Sequence, residues 1–357
     1  MNRTPLSNNR MSRRQMLQSS SAGFGSLALA GLLAQESVAA EKSRVQRPHF
    51  AAKAKRVIFV FLHGGPSQVD TFDYKPELQK HSGKPFTYAK PRIVSSQTGN
   101  LLGSPFRFRQ HGESGIHVSE IFPHVGSCVD DICFINSMHC SNSRHGSALL
   151  ELHTGSDTFI RPSMGSWINY GLGTENENLP GYITFCPSMS HSGSNAYSSA
   201  FLPAHYSGTP IGFAGVKADQ AKIRHITNEN TSLTEQRREL DLIQTLNRQY
   251  LEDSGPDSNL ESRIESFELA FRMQTAVPEL QDLSDETDAT KRMYGIDEGR
   301  TKDFGTQCLM ARRFAEAGVR FVEVSHRYWD AHGQVEQNHR KNAGEVDKPI
   351  AGLIRDL

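Results

Sequence analysis

Val57-Ile58-Phe59-Val60-Phe61-Leu62 carries no polar side chain and runs directly into His63-Gly64-Gly65-Pro66. An apolar run without alternation is the pattern of a strand covered on both faces, as in a parallel sheet between helix layers. The switch to His, Gly, Gly and Pro marks the strand's carboxyl end. Val319-Arg320-Phe321-Val322-Glu323-Val324 repeats the arrangement: it follows a helix expected to stop at Gly318 and leads to Asp330 and His332. Ile132-Cys133-Phe134-Ile135 is a third apolar run, followed by a polar stretch over 136–145. The expected fold class is therefore α/β, with a mostly parallel central sheet between helix layers.

Helix signals fill the intervals. Ser232-Leu233-Thr234-Glu235 is a capping box opening a helix with Leu240, Ile243, Leu246 and Tyr250 near one face. Ser258-Asn259-Leu260-Glu261 opens another, striped by Leu260, Ile264, Phe267 and Phe271 and expected to stop before Pro278. These stripes read as core. The stretches 91–115 and 188–215 are rich in Gly, Ser, Pro and aromatics without periodicity, and read as excursions covering a cleft.

The 357 residues hold 39 Lys+Arg against 39 Asp+Glu, a formal charge of zero that leaves no cationic surplus for a phosphate backbone. Nucleic acid is excluded as a natural partner on that ground. About 45% of the chain is apolar once the 29 Gly join the 37% hydrophobic residues, which fits a globular protein and not a disordered one. Five cysteines, without any C-x-x-C pair, form neither a zinc knuckle nor a disulfide framework, so most are expected as small buried apolar residues.

The first forty residues have a different character. Arg3, Arg10, Arg13 and Arg14 precede the first acidic residue, Glu36, and an apolar run from Ala22 to Ala34 follows them. The run is too short and too rich in Gly and Ser to cross a membrane, which takes roughly 20 apolar residues. Ser12-Arg13-Arg14-Gln15-Met16-Leu17 resembles a twin-arginine motif, and Ser37-Val38-Ala39 offers a small-residue cleavage site. Residues 1–40 are thus expected to be an export signal, residues 41–357 a single domain with loop excursions, and the mature protein periplasmic or extracellular without a membrane span.

Ligands of open parallel sheets sit beyond the carboxyl ends of the strands. His63 and Asp70 follow the first strand, His139 and His145 follow the run at 132–135, and Asp330 and His332 follow the run at 319–324. Asp330-Ala331-His332 can turn a carboxylate and an imidazole toward one ion, and mixed nitrogen and oxygen donors suit zinc, manganese or iron. His63, Asp70 or His145 would complete the sphere and leave a position open for water or a substrate oxygen. Ser147 lies in the first turn of the helix expected to run to Leu152, where main-chain N–H groups favour an anion. With Ser141 and Ser143 it is a candidate hydroxyl nucleophile, beside His145.

These residues carry a family resemblance. The stretch from Phe61-Leu62-His63-Gly64-Gly65-Pro66 to Asp73-Tyr74-Lys75-Pro76 resembles the opening signature of the domain-of-unknown-function 1501 family. Arg161-Pro162-Ser163-Met164-Gly165-Ser166-Trp167, Phe201-Leu202-Pro203-Ala204, Glu268-Leu269-Ala270-Phe271-Arg272-Met273-Gln274, Cys308-Leu309-Met310-Ala311-Arg312-Arg313 and Trp329-Asp330-Ala331-His332 resemble its later motifs in order. The resemblance implies an alkaline phosphatase or sulfatase-like fold in an exported protein with a divalent ion such as zinc, manganese or calcium. Asp330 and His332 would match that superfamily's late metal pair. Its first carboxylate ligand would fall to His63, which directly follows the strand, or to Asp70, and its nucleophile-bearing turn would lie near His145 and Ser147. Family members continue through Gly-Glu-Phe-Gly-Arg-Thr and Gly-Arg-Asp-His segments that this chain does not match. The stripe Val346, Ile350, Leu353, Ile354, Leu357 also ends without a stop residue. Both features lead to the expectation of a fold incomplete at its C-terminal end, with that stripe exposed.

Two functions compete at this point. One is a metal-dependent hydrolase of small-molecule or polysaccharide phosphate or sulfate esters. The other is an exported binding module for carbohydrate or protein, or an inactive fragment, that keeps the fold without the chemistry. An α/β-hydrolase is disfavoured because no G-x-S-x-G elbow occurs.

Overall fold

Even-numbered residues of the first strand pack on one side of a sheet and odd-numbered ones on the other, as period two requires. In β1 (Val57–Leu62), Ile58, Val60 and Leu62 join the main core, whereas Val57 and Phe59 join a second cluster with Tyr182 and Phe321. The same parity holds in β6 (Phe321–His326), where Val322 and Val324 face the main core and Phe321 the other side. Between them in sequence lie β4 (Tyr182–Phe185) and β5 (Thr209–Ile211). The sheet order is β1-β6-β4-β5, and every neighbouring pair is parallel. The α/β expectation with a mostly parallel sheet holds.

The computed structural model describes residues 51–357 apart from 88–98, 137, 189–192, 225, 229 and 256. The expected export signal therefore lies outside the described residues, as do parts of both expected excursions. Residues 56–357 form one unit. No helix among the described residues is long and apolar enough to cross a membrane.

In chain order the remaining elements are α1 (Gln68–Thr71), α2 (Pro76–Lys80), the antiparallel hairpin β2 (Phe108–His111) and β3 (Ile116–Ser119), α3 (Pro123–Gly126), α4 (His145–Thr154) and α5 (Met164–Leu172). Then come α6 (Leu233–Ser254), α7 (Ser258–Gln281), α8 (Asp288–Met293), α9 (Lys302–Glu316) and α10 (Val335–Asp356). Helix α9 covers one face of β6 and β1, and α5 covers the other face of β6 and β4. Helix α9 ends as expected at Gly318 (φ +99°): Gly318 N–H donates to Ala315 and Val319 N–H to Phe314, the paired bonds of a Schellman stop. The Ser232 box caps α6 as read, with Ser232 and Glu235 satisfying each other's main-chain N–H.

Several expectations need correction. Ile132–Ile135 is no strand: Ile132 and Phe134 are half-buried, Cys133 and Ile135 are exposed, and Phe134 is held through its ring, 5.8 Å from that of Phe72. Side-chain packing on one side fixes this segment in place of a main-chain ladder. Helix α7 passes through Pro278 instead of stopping before it. A proline removes only its own N–H, and its carbonyl still accepts from Asp282. At its start Asp257 Oδ1 accepts the Leu260 N–H at 3.3 Å. The 91–115 and 188–215 stretches contain β2 and β5. The stripe expected to lie bare is covered, because α10 packs on α9 and α3 and buries Val346 and Leu353 completely while Leu357 stays exposed. Cys128, Cys186 and Cys308 are buried, Cys133 and Cys140 exposed, and all five are free thiols.

Candidate metal centre at the ends of β1 and β6

Parallel pairing places the carboxyl ends of β1 and β6 side by side, and the loops that leave them are stitched together. His63 N–H donates to the His326 carbonyl at 2.7 Å, and Trp329 N–H donates to the His63 carbonyl at 3.2 Å. Gly64 follows at φ +105°, and a Cβ there would stand 2.4 Å from the Asp330 nitrogen, so only glycine lets the two loops approach this closely.

The loop after β6 is held from below. Trp329 is fully buried, and its Nε1–H donates to His326 Nδ1 at 3.0 Å. His326 Nε2 must then carry the proton that meets Glu345 Oε2 at 2.9 Å. Two residues other than glycine sit in left-handed backbone on either side of the exposed turn: Tyr328 at φ 75° and Gln334 at φ 51°. Asn338 and Asn342, on α10, donate to the Tyr328 carbonyl at 2.9 and 2.7 Å. Such backbone is retained when its surroundings over-determine it, and it concentrates at functional sites.

The turn presents Asp330 and His332 to the first residue of α4. Asp330 Oδ2 is 3.1 Å from His145 Nε2, and its Oδ1 is 2.9 Å from His332 Nε2. The three residues offer ligand atoms that all lie within 4.8 Å of one another. Two imidazoles and one carboxylate make the donor set of a three-ligand site with open positions, so these residues fit a divalent ion of the zinc or manganese type. The site is open to solvent: the His145 and Asp330 side chains are 39% and 37% exposed and that of His332 is 79% exposed.

The other predicted residues fall around this group. His63 is buried, packs edge-on to Phe61, and lines with His145 a mainly apolar groove of about 400 Å³ between β1 and α4. Asp70 is buried in α1, near enough to His339 for its charge to act on that ring. His339 Nε2 accepts the Ser67 N–H at 2.8 Å and its Nδ1–H reaches the Val335 carbonyl, so this histidine pins α1 to α10; burial outweighs the Asp70 charge and keeps its pKa low. Neither His63 nor Asp70 belongs to the three-residue group, and exposed His139 does not either. Ser147 is half-buried in the first turn of α4 and does not line the groove. That turn is shaped by Asn142, whose Oδ1 accepts the Arg144 N–H at 3.0 Å.

One charged group was not foreseen. Glu323, in the middle of β6, is buried; Tyr182 donates to its Oε2 at 2.9 Å and His153 Nε2 lies 3.4 Å from its Oε1. His153 Nδ1 meets the Leu149 carbonyl at 2.8 Å. A carbonyl can only accept, so Nδ1 of His153 carries a proton, and the Glu323 carboxylate beside Nε2 favours the cationic ring. Burial pushes its pKa down, but the Glu323 hydrogen bond and charge, with the Leu149 bond, overcome that and raise it. Because His153 and His145 share α4, the pair fixes that helix against β6 and so sets where His145 meets Asp330. A glutamate inside an apolar strand run was the visible signal.

Fold and site together define an α/β protein whose parallel sheet gathers a His/Asp/His group at its strand ends. The chain belongs to the family described as "Protein of unknown function (DUF1501)", which matches residues 54–357. Neither the curated proteins nor the solved structures include a match to this chain.

Proposed function

We propose that this protein is an exported metal-dependent hydrolase of phosphate or sulfate esters, of the alkaline phosphatase and sulfatase type. The observation that supports it best is the convergence of His145, Asp330 and His332 at adjacent parallel strand ends. His145 Nε2, an Asp330 oxygen and His332 Nε2 would hold the divalent ion, which when bound would supply Lewis acidity for an ester oxygen and its attacking water. The residues themselves orient the site: Asp330 aligns both imidazoles, Gly64 admits the Asp330 main chain, and the open N-terminus of α4 offers N–H groups to an anionic ester. Ser147 is the hydroxyl of that turn, and His63 and Asp70 are the candidates for a further ligand. The alternative, an exported binding module without catalysis, draws its support from the exposure of His332.

Elemental analysis after loading with zinc or manganese, with turnover of 4-nitrophenyl phosphate and 4-nitrophenyl sulfate, tests the reading. Asp330→Ala and His332→Ala should each lower metal affinity by at least about tenfold to a hundredfold. Metal content equal to wild type in both variants overturns it. Export rests on Arg13 and Arg14: the double Lys variant should stay in the cytoplasm, and undiminished export removes the twin-arginine reading.

A further inference from the structure

We infer that the groove between α5 and α7, at the end of the sheet opposite His145, Asp330 and His332, binds a saccharide chain. The groove holds about 510 Å³ and passes Gly181, which immediately precedes β4, so it lies at the amino ends of the parallel strands. Its lining is polar in an unusual mixture: the Asn169 amide, the Glu177 and Glu265 carboxylates, His205 and the Arg272 guanidinium. Donors and acceptors are both present there, His205 Nδ1 standing 3.0 Å from Glu265 Oε2, and the mixture suits hydroxyls, each of them donor and acceptor at once.

Asn169 supplies the second observation. It is 5% exposed, it lines the groove, and its side-chain amide has no hydrogen-bond partner among the described residues. A Cβ on Gly181 would stand 2.1 Å from Asn169 Oδ1, so the glycine is what makes room for this amide. The amide opens on the groove, where a ligand hydroxyl would take the place of water as its partner.

Aromatic rings extend the site onto the surface. Tyr206 lines the groove, and its ring stands 5.3 Å from that of Tyr170. Trp167 follows at 6.1 Å from Tyr170 and Phe201 at 5.8 Å from Trp167. Trp167, Tyr170 and Phe201 are all exposed. Isolated exposed aromatics are ordinary, but a connected series of rings marks a binding surface. Ring faces pack on the C–H faces of pyranoses while the groove's polar groups take the hydroxyls. Glu177 and Glu265 at the groove would repel anionic lipid headgroups, which turns the choice away from a membrane surface.

The inference does not depend on the hydrolase reading. Isothermal titration of the full chain with cellohexaose, xylohexaose, mannohexaose and laminarihexaose tests it. At least one should bind, and Trp167→Ala and Tyr170→Ala, both at exposed positions, should each weaken that binding tenfold or more with unchanged circular dichroism. Asn169→Asp, which keeps the shape and removes the amide donors, should also weaken it, whereas Asp330→Ala should leave it intact. Failure of the wild-type chain to bind any of the four, binding indifferent to Trp167 and Tyr170, or Trp167-dependent binding only to phosphatidylglycerol vesicles would each overturn the proposal.

Discussion

At Gly64 the main chain passes at φ +105° within 2.4 Å, measured from a would-be Cβ, of the nitrogen of Asp330. Replacing it with alanine demands a backbone conformation that L residues avoid and also a shift of Asp330. Gly64→Ala should therefore cost about 2–4 kcal/mol in urea unfolding. It should also weaken metal binding, although residue 64 offers no ligand atom. A variant that unfolds like wild type and binds zinc equally would show that the two loops can separate without consequence. The ligand-type residues were legible because Asp-x-His after an apolar run is a chemical pattern. What could not be read was the turn that aims them: Tyr328 and Gln334 adopt left-handed backbone without the Gly or Asn that usually announces it. His63 and Asp70 shared a strand end with the group in sequence, yet the loop geometry brings in His145 from α4 instead.

Between elements, the tie that matters most for the site is the one from α4 to β6. His153 and Glu323 are both nearly inaccessible, so removing one partner leaves the other uncompensated. Glu323→Gln should destabilise the protein by about 3–5 kcal/mol. The pH dependence has a definite sign. His153 titrates higher in the folded protein than in the unfolded chain, so its contribution is complete below the unfolded value, about 6.5, and is lost as pH rises through the folded one. The stability gap between wild type and His153→Gln should be widest in mildly acidic buffer and should narrow with increasing pH. A gap that widens toward alkaline pH would mean that His153 is neutral in the fold. Legibility differed sharply among elements. The Gly318 stop and the Ser232 box are local hydrogen-bond devices written in a few adjacent residues. Strands β4 and β5 span only four and three residues, too short for periodicity to declare them, and Phe185 of β4 packs on Phe314 of α9, far along the chain.

Across the sheet formed by the described residues, β6 and β4 are central while β1 stands at an edge. The apolar run of β1 promised burial on both faces, and each of its residues is instead half-buried. The run reports the two faces, which are indeed covered by helices, and carries no information about the edge. Pairing with β6 settles which main-chain groups look outward. Val57 N–H donates to the Arg320 carbonyl and His63 N–H to that of His326, so odd-numbered residues of β1 direct their N–H groups into the sheet and Ile58, Val60 and Leu62 direct theirs away. Six apolar residues without charge, proline or bulge make an edge with little protection against further pairing. Amide exchange resolves the consequence residue by residue. The amides of Phe59 and Phe61 should exchange slowly, close to those of Val322 and Val324, and those of Ile58, Val60 and Leu62 orders of magnitude faster. Equal protection of both sets in dilute protein would mean that another strand pairs with this edge. In that event the alternation should return on dilution if the added strand comes from a second copy, and stay absent if it belongs to the same chain.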